Sequence, residues 1–247
     1  MARTVVISGG GTGIGLAAAE TFAEGGDRVV LLGRRADVLE RAAASLPGAA
    51  HCAGDLGDPA DVRRVADFVE REYGTVDVLV HSAGGTGGAV PDGHEDPLDD
   101  LHQEWTVNFR LNTLTAVLLT EALQGHLATP GGRVLFLSSI AAARGSGRPA
   151  YAAAKAALHP YAFRLARVLG PRGITVNVVS PGYVEETDFF GGDFPADHLA
   201  ELIEETATGR IGHPGDIART LHFLASSAAG HITAQVIQVN GGAERGH

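Results

Sequence analysis

The sequence contains very little lysine, cysteine and methionine. Lys155 is the only lysine among 19 lysines and arginines, and Cys52 is the only cysteine. One cysteine excludes an intramolecular disulfide. Together with the lack of a basic-then-apolar leader, it predicts a cytoplasmic protein. No apolar run reaches the roughly 18 residues of a membrane span, so we expect no membrane association.

Positive charge and metal-ligand patterns are also scarce. The formal net charge is −10, which argues against nucleic acid or an anionic membrane as a partner. The 11 histidines show no metal-ligand spacing, so we expect no metal site. With 247 residues, 45% of them hydrophobic, the chain predicts one domain over residues 1–247.

Short β-branched runs alternate with helical stretches along the whole chain. Strands are predicted at residues 4–8, 28–35, 51–56, 76–80, 133–139, 174–179 and 235–242. Helices are predicted between them, including residues 36–46, 61–73, 101–128, 196–205 and 214–227. This alternation is typical of a doubly wound α/β Rossmann fold, with a seven-stranded, mainly parallel sheet and about six helices on its two faces.

A glycine-rich turn separates the first strand from the first helix. It reads Gly-Gly-Gly-Thr-Gly-Ile-Gly over residues 9–15, with the spacing G-x-x-x-G-x-G. Hairpins and helix caps also use glycine. A turn between a strand and a helix, however, aims backbone N–H groups and a helix N-terminus at a phosphate, so a dinucleotide site is predicted here.

Two arginines follow the second strand. Gly33, Arg34 and Arg35 stand where NAD-selective proteins of this build carry an acid for the ribose hydroxyls. Guanidinium groups suit a 2′-phosphate, which favours NADP(H) over NAD(H). The alternative is a solvated basic loop that opens the second helix.

Tyr151 and Lys155 are the strongest candidates for chemistry. They lie four residues apart in the alanine-rich stretch YAAAK, so in a helix they share one face. The ammonium is expected to lower the tyrosine pKa, which would let the phenol exchange a proton with a carbonyl or alcohol oxygen. An ordinary surface pair on a helix would have the same spacing. Ser138 and Ser139 end the fifth strand and should lie in the same crevice, although two serines can also simply cap a loop.

Other polar residues leave alternatives open. Asp55 either caps the following segment or contacts an adenine edge, and His81 is either a structural hydrogen-bonding group or a base, with the structural role preferred. Asn108 and Asn112 lie inside a predicted helix, where asparagine is unfavourable unless it has a specific partner or is exposed. Residues 85–100 are predicted to be a loop bordering the site, and residues 184–208 either a substrate lid or a peripheral insertion.

The ordered set of motifs resembles the short-chain dehydrogenase/reductase family, closest to the subgroup of 3-oxoacyl-[acyl-carrier-protein] reductases. The matching stretches are SGGGTGIG, AGDL, SSIA, YAAAK, ITVNVVSPG, GRIGHPGDIA and ITAQVIQVNGG. The family's common NNAG is HSAG here, with His81 and Ser82 in place of the asparagines.

The resemblance implies roles for individual residues. Tyr151 would be the acid/base, Lys155 would lower its pKa and contact the nicotinamide ribose, Ser139 would hold the substrate oxygen, and Asn112 would complete a proton relay. Further residues would bind the cofactor: Gly9, Gly13, Ile14, Gly15, Asp55, Leu56, Ala83, Gly84, Pro181, Gly182, Val184 and Thr187.

The expected activity is interconversion of a ketone and a secondary alcohol with NADP(H), acting on a small-molecule substrate. The resemblance also implies a homotetramer. Two alternatives stay open, an NAD-dependent alcohol dehydrogenase on the same fold and a non-catalytic dinucleotide-binding sensor.

Overall fold

The computed structural model describes residues 2–87, 96–185 and 196–244. The seven predicted strands all occur in this part of the chain, with small shifts of their ends. They are β1 Thr4–Ser8, β2 Arg28–Gly33, β3 Ala50–Ala53, β4 Val78–His81, β5 Arg133–Leu137, β6 Thr175–Pro181 and β7 Val236–Val239. The largest shifts are at β3 and β7, which end at Ala53 and Val239 rather than at residues 56 and 242. β6 continues beyond its predicted end through Ser180 and Pro181, because it still pairs with β7 there.

The strands form one sheet in the order β3-β2-β1-β4-β5-β6-β7, and every pairing is parallel. Ile7 of β1 pairs with Leu31 on one side and with Val80 on the other. The order reverses between β1 and β4, so the connections leave the sheet in opposite directions from this point. Ligands bind beyond the carboxyl ends of the strands at such a switch point. The predicted doubly wound fold is confirmed.

The described helices are more numerous than the sequence predicted. They are α1 Gly13–Glu24, α2 Ala36–Ala44, α3 Pro59–Tyr73, α4 Pro97–Phe109, α5 Thr115–Leu123, α6 Ala141–Arg144, α7 Pro149–Ala156, α8 Leu158–Leu169, α9 Ala196–Glu204 and α10 Pro214–Leu224. Single 3₁₀ turns follow α5, α8 and α10, at Gln124–His126, Gly170–Arg172 and Ser227–Ala229.

Two hydrophobic layers cover the sheet. Side chains of α1, α2 and α10, such as Phe22 and Leu221, pack on one face. Side chains of α3, α5 and α8, such as Val65, Leu119 and Leu165, pack on the other. Alternate residues of β1 enter opposite layers, as expected for a strand buried on both faces. The sheet is therefore rigidly held, and its carboxyl edge is a fixed platform.

The predicted continuous helix over residues 101–128 is interrupted. Asp96 caps the start of α4 by accepting from Leu98 N, so residues 97–100, predicted as loop, are helical. Arg110–Leu114 then forms one turn of π-helix before α5 begins. Residues 88–95 of the predicted loop and 186–195 of the predicted lid lie outside the described residues. Nowhere in the described ranges is a helix both long and apolar enough to cross a membrane.

Candidate active site

A cleft of about 1010 Å³ opens at the carboxyl edge of the sheet and collects most of the predicted site residues. Those lining it are Gly9, Gly13, Ile14, Arg34, Arg35, Asp55, Leu56, Ala83, Gly84, Ser138, Ser139, Tyr151, Lys155, Pro181, Gly182 and Val184. Thr187 lies outside the described residues. One elongated cleft thus joins the glycine turn to the Tyr-Lys helix.

The glycine turn forms a cradle that only glycine permits. A Cβ on Gly9, whose φ is +69°, would lie 2.7 Å from Ala83 N, and a Cβ on Gly15 would overlap Gly9 O. The chain can therefore run against residues 82–84 without side chains between. Helix α1 begins at Gly13, so its first N–H groups face the cleft without helical acceptors. These residues fit the pyrophosphate of a dinucleotide.

Arg34 and Arg35 lie at the far end of the cleft, directly after β2. Both are exposed, and both line the cleft. Gly33, the last residue of β2, brings no carboxylate to this edge. Cationic side chains are thus present where a ribose would lie.

Asp55 is held by neighbouring residues at the end of β3. Its Oδ1 accepts from Gly57 N at 2.9 Å, and its Oδ2 accepts from Arg110 Nη2 at 2.7 Å. The carboxylate therefore caps the following turn, as one of the two sequence alternatives proposed, and ties that turn to the π-helical turn. Leu56 beside it is buried and faces the cleft.

Lys155 reaches from α7 to the end of β5. Its Nζ donates to Leu137 O at 2.9 Å, and the residue is only 4% exposed. Burial disfavours the ammonium form and lowers the pKa of Lys155 to about 8. The same Nζ lies 2.8 Å from where a Cβ on Gly84 would be, so the absent side chain of Gly84 leaves room for the amine.

The expected lowering of the Tyr151 pKa is wrong for this structure. Burial of the phenol raises the pKa of Tyr151 to about 12, and a hydrogen bond from Ser139 opposes that rise without cancelling it. The helical spacing is as predicted, but the sequence could not show that the ring would be 8% exposed. The free-energy cost of removing water from the phenolate exceeds the stabilisation that neighbouring groups give it, so the phenol keeps its proton at neutral pH.

The structure separates the roles of the two serines. Ser138 is buried, donates to Lys155 O at 3.2 Å and lies 2.8 Å from His159 Nε2. Ser139 is half-buried, accepts from Ala141 N at 3.2 Å and hydrogen-bonds the Tyr151 phenol. Of the two, Ser139 is the one beside the phenol, which agrees with the choice made from the resemblance.

Asn112 lies in the π-helical turn. Its Oδ1 accepts from Gly85 N at 3.0 Å, and its Nδ2 donates to Gly85 O at 2.8 Å and to Asn108 O at 3.1 Å. Its Oδ1 is also 2.8 Å from the position of a Cβ on Gly84, close to the Lys155 amine. The neighbouring Asn108 instead donates to Glu104 O within α4. The extra residue of a π turn projects a side chain that a regular helix would place elsewhere.

His81 has a structural environment. Its Nε2 lies 2.8 Å from Thr120 Oγ1, and its ring stacks on Phe136 with centroids 4.7 Å apart. Burial lowers its pKa to about 3, so the ring is neutral at physiological pH. This agrees with the preferred reading of His81 as a structural residue.

Sequence reasoning missed His159 and Thr113. His159 meets Ser138 across 21 residues of sequence, and Thr113 Oγ1 donates to Ala154 O at 2.8 Å across 41 residues. Neither belongs to a motif, and no local signal indicated them. In the described part of the chain, no cluster of three or more histidine, cysteine, aspartate or glutamate residues could hold a metal ion.

Comparison with known proteins agrees with this geometry. The family model described as Enoyl-(Acyl carrier protein) reductase matches residues 9–244. The chain is 33% identical to 3-oxoacyl-[acyl-carrier-protein] reductase of Escherichia coli, covering 97% of this chain and 96% of the relative. It is 32% identical to carbonyl reductase family member 4 of Danio rerio, covering 98% of each.

A solved structure shows the same fold over nearly the whole chain. A short-chain dehydrogenase/reductase of Brucella melitensis superposes with a TM-score of 0.88 at 30% identity, covering 99% of this chain and 97% of that one. With the dinucleotide cradle and the Ser-Tyr-Lys cluster already in place, these matches show that the chain belongs to the short-chain dehydrogenase/reductase family of oxidoreductases.

Proposed function

We propose that this protein reduces a small-molecule ketone to a secondary alcohol with NADPH. The observation that carries the proposal is one continuous cleft with a phosphate cradle at one end and Ser139, Tyr151 and Lys155 at the other. The two relatives named above are a carbonyl reductase and a 3-oxoacyl reductase, which supports a carbonyl substrate.

In the proposed mechanism, the protein positions the substrate and supplies a proton. A reduced nicotinamide bound in the cleft would supply the hydride for the carbonyl carbon. Tyr151 donates its proton to the carbonyl oxygen, and Ser139 hydrogen-bonds the same oxygen. Lys155 stabilises the phenolate that the transfer leaves behind. Because burial raises the Tyr151 pKa to about 12, the proton-donor form that reduction needs dominates at neutral pH.

The contacts of Asn112 and Lys155 support a role for both residues in returning a proton to Tyr151. Both reach the space beside Gly84, from the π-helical turn and from α7. We propose that they complete the relay through which the phenol is reprotonated after each turnover.

We propose NADP(H) rather than NAD(H) on the position of Arg34 and Arg35. Their guanidinium groups flank the cleft at the end of β2, where a 2′-phosphate would be paired and a bare ribose would not. The phosphate cradle and the cluster fit either cofactor, so the preference depends on these two arginines.

The direct test is NADPH oxidation against ketones, 3-oxoacyl thioesters, enoyl thioesters and quinones. We expect turnover of a ketone and none of the carbon–carbon double bond of an enoyl thioester. Tyr151→Phe should lower kcat by at least about a hundredfold while NADPH still binds, because general acid catalysis contributes about 10²–10⁴. Equal turnover by wild type and Tyr151→Phe would contradict the mechanism.

We also propose a cytoplasmic homotetramer. Leu98, Leu101 and Trp105 line one face of α4 and are 69%, 49% and 38% exposed, and Phe163 on α8 is 40% exposed. Exposed apolar side chains on two helices support self-association. Light scattering coupled to size-exclusion chromatography should give four times the 25.5 kDa chain mass. A monomer at micromolar concentration would contradict this part of the proposal.

A further inference from the structure

The end of β5 contacts the Tyr-Lys helix at three consecutive residues. Leu137 O accepts from Lys155 Nζ at 2.9 Å, Ser138 Oγ donates to Lys155 O at 3.2 Å, and Ser139 hydrogen-bonds the Tyr151 phenol. Lys155 is therefore fixed to β5 both at its amine and at its backbone. Ser138 itself is fixed to β6, since its N–H donates to Val179 O at 2.8 Å.

His159 contacts Ser138, the middle of these three residues. Its Nε2 lies 2.8 Å from Ser138 Oγ, and His159 follows Lys155 by one helical turn. A serine hydroxyl has one hydrogen, and a carbonyl oxygen can only accept. Both contacts can form together only if Ser138 donates to Lys155 O and His159 Nε2–H donates to Ser138. The geometry thus assigns the Nε2–H tautomer to His159.

The carbonyls held in this way lie in the last turn of α7. That helix ends at Ala156. Carbonyls at a helix end need partners other than the regular backbone N–H groups. Thr113 Oγ1 donates to Ala154 O at 2.8 Å, and Ser138 Oγ donates to Lys155 O. Two hydroxyls from different elements therefore hold two consecutive carbonyls of α7.

We propose that His159 is a positioning residue, which acts through Ser138 to fix Lys155 and Tyr151 relative to β5. This inference rests on the proposed carbonyl reductase function. His159 lies behind the cleft and is not among its lining residues, whereas Ser138 lines it. Small displacements of reacting groups lower the rate of catalysis without abolishing ligand binding, so the effect of His159 should fall on kcat.

Four variants test the kinetic part. His159→Leu removes the hydrogen-bond donor and fills its place with an apolar side chain. We expect kcat to fall on the order of tenfold, while KM and NADPH affinity stay within about twofold of wild type. His159→Gln carries an N–H group at a comparable reach and should stay within about threefold of wild type. Ser138→Ala should lose as much as His159→Leu, and the double variant no more than either, because residues in one network are not additive.

His222→Leu is the matched control. His222 lies on α10, on the opposite face of the sheet, where its ring packs on Phe22 with centroids 5.3 Å apart. This variant should keep wild-type kcat. Losses that multiply in the Ser138/His159 double variant, or a Gln variant no better than Leu, would overturn the inference.

A second measurement needs no turnover, so it separates this inference from the proposed function. Lys155 is the only lysine, so ¹³C-lysine labelling gives one Cε signal from the folded protein. We expect His159→Leu to shift that signal, and His159→Gln and His222→Leu to leave it in place. Nitrogen-15 spectra of the wild type should show Nε2–H at His159. An unmoved Cε signal in His159→Leu, or a His159 ring with its proton on Nδ1, would contradict the positioning role of His159. A wild type without carbonyl turnover would contradict only the proposed function.

Discussion

At the scale of the residue, the buried amine of Lys155 should make the free energy of unfolding depend on pH. The pKa of Lys155 is about 8 in the folded protein and about 10.5 in an unfolded chain. Between these values the unfolded state binds more protons, so stability rises with pH. Charge burial therefore opposes folding below pH 8, and this opposition disappears as pH approaches 10.5.

We expect wild type to gain about 3 kcal/mol of unfolding free energy relative to Lys155→Met between pH 7 and pH 10.5. Denaturant titrations of both proteins across this range measure the difference. Arg167→Met, which removes an exposed cation from α8, serves as the control and should track wild type. Parallel pH dependences of wild type and Lys155→Met would show that the amine is not desolvated.

The cofactor preference also depends on single side chains. Arg34→Ala should weaken NADPH binding by about tenfold or more and leave NADH binding within about twofold, since hydrogen bonds to charged groups contribute about 1.5–3 kcal/mol. Fluorescence titration with both nucleotides measures this. Arg41→Ala removes another exposed arginine, which pairs with Asp37 within α2, and should change neither affinity. Unchanged NADPH preference in Arg34→Ala would assign the 2′-phosphate elsewhere.

At the scale of the element, the junction between β1 and α1 tolerates no side chain at Gly15. A Cβ there would overlap Gly9 O, so α1 and the glycine turn would have to move apart. We expect Gly15→Ala to weaken dinucleotide binding at least about tenfold and to lower the thermal midpoint, because a well-packed backbone contact cannot absorb an added methyl. Calorimetric titration measures the first effect and thermal unfolding the second.

Gly125→Ala is the matched control, since nothing lies within 4 Å of the added Cβ and Gly125 has no positive φ. This variant should bind the dinucleotide like wild type. If Gly15→Ala bound equally well, the cradle would not be the phosphate site.

The elements of the sheet were predictable because their signal is local. β-branched runs such as residues 4–8 indicate buried parallel strands. The glycine turn that follows lies between β1 and α1, as its sequence predicted. The π turn at Arg110–Leu114 was not predictable, since its residues also fit a regular helix and only tertiary contacts select the wider turn. The Tyr151 pKa and the His159 contact depend on burial and on distant neighbours, which no periodicity encodes.

At the scale of the whole molecule, burial of neutral His81 in the core should lower the stability of the folded protein in acid. Its pKa is about 3 in the folded protein and about 6.5 when unfolded. Between these values only the unfolded state binds the proton, so stability falls as pH decreases from 6.5 towards 3. His81 should therefore be responsible for about 2 kcal/mol of lost stability between pH 6.5 and pH 5.

We expect His81→Asn to lose less stability than wild type over that interval. Chemical denaturation at pH 7 and pH 5 gives the two differences. The exposed His102→Asn is the control and should show the wild-type loss. The same loss in His81→Asn and wild type would mean that the ring accepts a proton inside the folded protein.

The solitary, enclosed lysine has a consequence for covalent chemistry. Acylating or reductively alkylating reagents have only one side-chain amine to modify, and in the folded protein it is 4% exposed. With a pKa near 8 that amine is partly neutral and nucleophilic at mildly basic pH, yet it lines the ligand cleft with little of its surface exposed. The rate at which the amine is modified should therefore report how often the site opens transiently. A bound dinucleotide should prevent the modification.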